Sequence, residues 1–318
     1  MRIGLDVMGG DFAPISTIAG AILALEHLDS SDQIVLIGDS DSIHTELNKH
    51  NTSPDLFEIV HAKDVIHMGE HPTRALFRKP QSSITIGFDL LKHRHIDAFA
   101  SAGSSGAMLV GSIYSVNNIQ GVIRPCTAAV LPQEGGGVSL LLDVGTNPDA
   151  KPDVLYQFGL LGSIMAEHVY KISNPKVALL NIGQEEEKGN INVQAAFALM
   201  KDTQQFNFIG NVEGRDILRN KADVIVCDGF TGNILLKNIE GMFRIMMKHG
   251  LRDDYFDRFN YEQYGGTPIL GINGSVIVGH GISNDVAIRN MLLLAREVYC
   301  AKVSAKIKKA LSIAPAEY

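Results

Sequence analysis

The sequence predicts an α/β fold, a doubly wound and largely parallel sheet with one hairpin that makes it mixed. Three observations carry this. Short β-branched or aliphatic runs alternate with longer segments of helical period through the 318 residues. The runs are apolar on both faces, as strands covered by helices on either side must be. Five of them run straight into a glycine-bearing loop that opens a helix.

In order, the predicted strands are Arg2–Val7, Gln33–Gly38, Phe57–His61, Asp97–Ser101, Thr127–Leu131, Val138–Asp143, Lys176–Asn181, Asn207–Val212, Asp223–Cys227 and Ser275–Val278. In the first helix Pro14 suits the opening turn, and Ile15, Ile18, Ala19, Ile22 and Leu25 recur at helical spacing. Gly135-Gly136-Gly137 reads as the turn of an antiparallel hairpin between the fifth and sixth strands. The last helical stretch, about Ser283 to Leu311, has the length of one long helix or two. Without repeats or low-complexity linkers, residues 1–318 are expected to form a single domain, of one body or two lobes.

Composition narrows the function. Hydrophobic residues at 45% and charged residues at 20% support a core and exclude a disordered chain. With 28 basic and 35 acidic residues the net charge is −7, which argues against a general nucleic-acid binder. Cys126, Cys227 and Cys300 are odd in number, widely spaced and form no C-x-x-C pair. That usage fits a reducing compartment without a structural zinc. Asp6 interrupts the first apolar run, so no signal peptide is expected, and no run approaches the ~18 apolar residues of a membrane span. A cytoplasmic enzyme is the expected class.

The chain holds 31 glycines. The five loops are Asp6-Val7-Met8-Gly9-Gly10-Asp11, Ser101-Ala102-Gly103-Ser104-Ser105-Gly106, Asn181-Ile182-Gly183 through Lys188-Gly189, Asp228-Gly229-Phe230-Thr231-Gly232-Asn233, and Gly279-His280-Gly281-Ile282-Ser283. On parallel strands all five emerge at the carboxyl edge of the sheet, where α/β folds bind ligands. Unpaired N–H groups at helix starts and close-approaching glycine backbone suit an anion such as phosphate. One such loop makes an ordinary tight turn; five together point to a site.

Common nucleotide motifs do not fit. No G-x-x-x-x-G-K-[ST] occurs, and Gly279-His280-Gly281-Ile282-Ser283-Asn284 lacks the third glycine and the ribose-binding acid of a dinucleotide fingerprint. Ser104 lacks the flanks of a nucleophile elbow. His67, Glu70 and His71 lie in a loop broken by Gly69 and Pro72 and read as solvated side chains, so no metal and no cofactor are expected.

Candidate chemistry rests on a few side chains. Lys188, in Glu185-Glu186-Glu187-Lys188-Gly189, is either a solvated charge with an i, i+3 ion pair or a cation for phosphate or an oxyanion. Asn233 either caps a helix or donates its amide to a carbonyl oxygen. His280, between two glycines, is a general acid, a phosphate ligand or a packed ring. Arg78, Lys79, Ser82 and Ser83 form a basic segment beside a helix start, an anion clamp or an ordinary surface patch.

Read together, Asp6-Val-Met-Gly-Gly-Asp11-Phe-Ala-Pro14, Ser101-Ala-Gly-Ser-Ser-Gly-Ala107, Asp143-Val-Gly-Thr-Asn147, Asn181-Ile-Gly-Gln-Glu-Glu-Glu-Lys-Gly189, Gly210-Asn-Val-Glu-Gly214, Asp228-Gly-Phe-Thr-Gly-Asn233 and His280-Gly closely resemble the bacterial phosphate acyltransferase family, in its order and over nearly the whole chain. The resemblance implies transfer of a fatty acyl group from acyl-[acyl carrier protein] to inorganic phosphate, giving acyl-phosphate for a membrane glycerol-3-phosphate acyltransferase in phospholipid synthesis. It implies a homodimer, cytoplasmic with peripheral membrane contact. The implied fold is a three-layer αβα sandwich similar to isopropylmalate dehydrogenases and phosphotransacetylases. Lys188, Asn233 and His280 carry over as catalytic candidates, with Gly9, Gly10, Ser82, Ser104, Ser105 and Gly106 as phosphate-binding candidates. Three positions depart from the family pattern: Lys79-Pro80-Gln81 is less basic, Cys126 stands where a small residue is usual, and Met242 to Tyr264 is compact.

A thioester is already activated and phosphate is largely dianionic near neutrality, so direct attack by phosphate is expected rather than a covalent enzyme intermediate. From Arg289 to Tyr318 six basic residues face only Glu297 and Glu317, a local +4. Lys302, Lys306 and Lys309 there are candidates for docking the acidic carrier or anionic lipid, the alternative being a helix end that complements its own dipole. Ile239, Met242, Phe243, Ile245, Met246 and Met247 form an apolar helical cluster for core or dimer packing, or for shallow membrane contact. Competing readings are an NAD-dependent dehydrogenase on a related fold and a non-catalytic phosphate- or acyl-binding regulatory protein.

Overall fold

A computed structural model describes residues 1–313. Along the chain run β1 (Arg2–Asp6), α1 (Ile15–Leu25), β2 (Gln33–Gly38), α2 (Ser40–Lys49), β3 (Glu58–His61), α3 (Pro72–Arg78), α4 (Ser83–Lys92), β4 (Ala98–Ser101) and α5 (Ser105–Gly111). There follow β5 (Cys126–Pro132), β6 (Val138–Leu142), α6 (Pro152–His168), β7 (Lys176–Asn181), α7 (Ile191–Met200), β8 (Asn207–Glu213), β9 (Val224–Val226) and α8 (Gly229–Lys248). The chain continues with β10 (Thr267–Leu270), β11 (Ser275–Val278), α9 (Asp285–Cys300) and α10 (Val303–Ile313). All ten predicted strands form, and the last helical stretch is two helices, parted where Lys302 takes a φ of +54°. The strand that the pattern does not reveal is β10, four residues long with Pro268 inside it.

The described residues divide into two compact units, 1–117 with 261–300, and 118–260 with 301–313. The sheet of the first has the order β3-β2-β1-β4-β11-β10. Its pairings are parallel except β10–β11. Successive side chains of a strand point to opposite faces. On one face Val35, Ile37, Phe99, Val276 and Val278 pack with Ile84 and Phe88 of α4 and Met108 of α5. The alternate residues, Ile34, Leu36, Ala98, Ala100 and Ile277, are equally buried. Helix α9 lies against β4 and β11, and α1 lies on α9 so closely that a Cβ at Gly20 would stand 2.6 Å from the Asp285 carbonyl.

The second unit has the order β5-β6-β9-β7-β8. Its β5–β6 hairpin is antiparallel, as the three glycines predict, and the other pairings are parallel. Helix α6 covers one face: a Cβ at Gly162 would lie 2.5 Å from Val224 and 3.0 Å from Leu142. Helices α7 and α10 pack against α6. On the opposite face Leu141, Ala178 and Ile225 pack with Leu235, Leu236 and Ile239 of α8. Each unit is thus an αβα sandwich.

Farther along α8, Met242 and Ile245 are exposed while Ile239 joins the core. Among the described residues no helix is long and apolar enough to cross a membrane. The basic carboxyl-terminal stretch is described only to residue 313, so Glu317 and Tyr318 lie outside the described residues.

Gly87 of α4 touches the Phe99 ring, which meets Phe88 edge-on at 5.1 Å. Gly87→Ala forces a methyl into that ring pair and is expected to destabilise the protein by about 1–3 kcal/mol. A urea midpoint equal to wild type would show that the pair yields without strain.

Candidate active site

In both units a buried aspartate at the end of a central strand organises the glycine loops beside it. In the first unit it is Asp6, the last residue of β1. Ser101 donates its hydroxyl to Asp6 Oδ2 at 2.6 Å, and the Met8 N–H donates to Oδ1 at 3.1 Å. Ser101 Oγ in turn accepts the Gly103 N–H at 2.9 Å. Burial pushes the Asp6 carboxyl above its ordinary range, offset in part by the hydrogen bonds from the Ser101 hydroxyl and the Met8 N–H. A Cβ at Gly9 would stand 2.7 Å from the Gly103 nitrogen, so only glycine lets the two loops meet. Gly10 has a φ of +111°, and the next N–H, Asp11, donates to the Gly281 carbonyl at 2.7 Å. The loops after β1, β4 and β11 therefore adjoin one another, as parallel strands require.

His280 is half-buried on the third of these loops. Its ring lies 4.8 Å from the Tyr261 ring, and the Tyr261 hydroxyl donates to the Ile282 carbonyl at 3.0 Å. Ser104 is the buried N-cap of α5, accepting the Ala107 N–H at 3.3 Å, and Ser105 is exposed in its first turn. Besides Ser104, two further phosphate-binding candidates have engagements within the protein. Gly106 packs on Pro72, whose Cγ would be 2.6 Å from a Cβ there. Ser82 is fully buried, capping α4 through the Thr85 N–H at 3.2 Å. The anion-clamp reading of Lys79 also weakens, because its ammonium donates to Glu70 at 2.6 Å and to the Val65 carbonyl at 2.8 Å.

In the second unit the organiser is Asp143, directly after β6 and fully buried. Oδ1 accepts the Thr127 N–H and hydroxyl at 2.9 and 3.1 Å; Oδ2 accepts the Asn147 N–H and side-chain amide at 2.6 and 3.0 Å. The Gly229 N–H then donates to the Asn147 carbonyl at 2.7 Å and the Gly145 N–H to the Gly229 carbonyl at 3.0 Å. This loop fills the crevice between β6 and β9. Asn233, exposed as the fifth residue of α8, borders it: a Cβ at Gly145 would be 3.5 Å from its Oδ1. The cap of α8 is Asp228, which accepts the Thr231 N–H at 2.8 Å, so Asn233 is not needed as a cap.

Lys188 lies in the loop after β7. The Asn181 side chain closes this loop, donating to the Lys188 carbonyl at 3.0 Å and accepting the Ile182 N–H at 2.8 Å. Gly189 follows with a φ of +91°. Among the described residues no ion pair involves Lys188; Glu186 pairs instead with Lys201 at 2.9 Å. The lysine is exposed on a fixed loop, not neutralised within its charge run. Lys188 and Asn233 belong to the second unit and His280 to the first.

The carrier-docking candidates sit elsewhere in the second unit. Lys302 and Lys309 are exposed, and Lys306 is half-buried near His168. Burial first, and then the Lys306 charge, hold the His168 pKa below its usual value. That end of α6 is thirteen residues, about 20 Å along the helix, from Leu155 near its other end. Among the described residues no metal-binding cluster exists.

Solved structures share this fold. A phosphotransacetylase from Staphylococcus aureus superposes with a TM-score of 0.61 at 15% identity, covering 93% of this chain and 94% of that one. A branched-chain phosphotransacylase from Enterococcus faecalis gives 0.63 at 14% identity, covering 94% and 99%. The chain therefore has the α/β architecture of the phosphotransacetylase class. A family model described as fatty acid synthesis protein matches residues 1–306. Proteins named phosphate acyltransferase are 43% identical over 94% of this chain and 95% of theirs in Syntrophomonas wolfei, and 44% identical over 93% of each in Heliobacterium modesticaldum. The chain belongs to the phosphate acyltransferase family, and it is an acyltransferase of fatty acid synthesis.

The raised Asp6 pKa sets a pH signature. A group whose folded pKa is raised lends stability below its unfolded value, about 3.9, and loses it as pH rises through the folded value. Wild type is expected to lose stability relative to Asp6→Asn as pH climbs above about 4. Parallel urea titrations of the two proteins would show a constant difference if Asp6 titrated normally.

Proposed function

We propose that the protein transfers a long-chain fatty acyl group from acyl-[acyl carrier protein] to inorganic phosphate, giving acyl-phosphate for phospholipid synthesis. The observation that carries this reading is the near-full-length similarity to proteins named phosphate acyltransferase. A phosphate oxygen attacks the thioester carbonyl carbon, the carbon–sulfur bond breaks, and the carrier leaves as thiolate. In this reading the glycine loops and Lys188 hold phosphate, and Asn233 with backbone N–H groups faces the oxyanion. His280 orients phosphate or assists the departing thiolate.

The state of Cys126 and Cys227, the two buried cysteines, favours direct attack over an acyl-enzyme formed on either. Burial first, with Asp143 adding at Cys126 and Asp228 and Asp143 adding at Cys227, pushes both thiols well above their ordinary range. Neither supplies a thiolate near neutral pH. The phosphotransacetylase-like fold adds support of shape alone. We further propose a homodimer that acts in the cytoplasm with peripheral membrane contact and supplies a membrane glycerol-3-phosphate acyltransferase.

Incubation with acyl-carrier protein and phosphate should release free carrier thiol and form a hydroxylamine-reactive acyl-phosphate, through a ternary complex. Ping-pong kinetics or a trapped acyl-enzyme would overturn direct attack. Lys188→Ala is expected to lower turnover by about 100-fold or more if the ammonium contacts the transition state, and near-normal turnover would return it to a solvated charge. Reversing Lys306 and Lys309 to Glu should raise the KM for the carrier and alter its salt dependence. Unchanged values would move docking to another surface.

A further inference from the structure

The second unit contains a cavity of about 500 Å³ at the carboxyl ends of β7 and β9, within the roughly 300–1,000 Å³ of small-molecule sites. Its position follows from topology. β7 and β9 are neighbours, yet α7 leaves β7 toward the α6 face while α8 leaves β9 toward the opposite face. Neighbouring strands whose helices diverge open a crevice between them, and α/β proteins place ligands there. The neighbouring crevice, between β6 and β9, is filled by the Asp143–Asn147 loop. The one between β9 and β7 is open.

The lining identifies the kind of occupant. Its floor is Leu155, Leu179 and Val226, with Leu235 and the half-exposed Val193 as walls. Around the rim Ile182, Phe230 and Ile234 are 81%, 63% and 52% exposed, a concentration of bare apolar surface. Most polar side chains of the rim are already engaged with the protein, and one exposed amide, Asn238, remains. Asn181 bonds the Lys188 carbonyl and the Ile182 N–H, Asn190 accepts the Val193 N–H at 3.0 Å, and Thr231 donates its hydroxyl to Asp228 at 3.1 Å. A nucleotide or sugar needs directed donors and acceptors; an aliphatic chain needs only the surface that remains.

We infer that this cavity holds the acyl chain of the substrate, methyl end inward and thioester at the rim beside the Asn181–Gly189 loop that carries Lys188. The inference rests on the proposed transfer of a fatty acyl group and adds the place where chain length is read. Each buried methylene is worth about fourfold in binding. A side chain that excludes even two of them must therefore discriminate against long acyl groups.

Val193→Trp tests it, since Val193 is half-exposed and the larger ring projects across the opening. The ratio of kcat/KM for palmitoyl- over hexanoyl-carrier protein should fall at least about tenfold in Val193→Trp and not in Val193→Ala. Binding of the fluorescent fatty acid cis-parinarate should weaken in the tryptophan variant alone. An unchanged ratio with unchanged parinarate binding would overturn the inference. So would an altered oligomeric state by light scattering with the ratio intact, because the surface would then be a contact between copies of the chain. If wild type turned over neither thioester, the proposed function would fall, and parinarate binding would still decide whether the cavity takes an aliphatic chain.

Discussion

The loops of both units depend on one interaction, a buried carboxylate that collects hydrogen bonds at the end of a central strand. A charge without a cationic partner is costly in a protein interior, and several hydrogen bonds make it tolerable. Asp143 gathers four donors from two segments, Thr127 and Asn147. Asp6 gathers the Ser101 hydroxyl and the Met8 N–H. In each case the glycines follow as a consequence, because the carboxylate draws loop backbones to distances at which a Cβ no longer fits. The geometry that exposes helix N–H groups at the sheet edge is thus fixed from below, by groups that themselves need not touch a ligand.

This explains why the glycine loops were legible in the sequence and their organisers were not. Asp6-Val7-Met8-Gly9 and Asp143-Val144-Gly145 share an aspartate two or three residues before a glycine. In a linear reading such an aspartate passes for a turn residue or a candidate catalytic acid. Only the fold shows it to be enclosed. The parallel strands were legible because their apolar runs are continuous, whereas β10 was not, since it is short and contains Pro268. The site residues divide similarly. Glycine patterns pointed to Gly9, Gly10 and the Ser104–Ser105 turn, whereas Ser82 was read from a serine pair before a helix; in the fold Ser82 and Ser104 are both helix caps. The cavity's rim belongs to two of the glycine loops, while its apolar floor left no sequence signal, because Leu155, Leu179 and Val226 read as core.

The acidic net charge likewise misdescribes the ligand surface. The proposed binding of phosphate does not require a basic protein, since oriented backbone N–H groups at helix starts carry partial positive charge independent of side-chain composition. One exposed lysine on a fixed loop then has more influence than its share of the total charge suggests. In the proposed reaction an apolar crevice beside it would divide the labour by chemistry, polar backbone for phosphate and aliphatic walls for a chain.

The first unit is built from two separated stretches of chain, and this shapes how the protein is made. β11 pairs with β4, yet more than half the sequence lies between them, including all of the strands β5 to β9. On the ribosome, β4 must wait with an open edge until residues near Ser275 emerge, and α1 lacks its α9 partner for longer still. An unpaired edge of buried-type residues invites pairing with other chains. The second unit, whose five strands are contiguous in sequence, can assemble its sheet during that interval. The segment made first can therefore be completed only after residues 275–300 have been made.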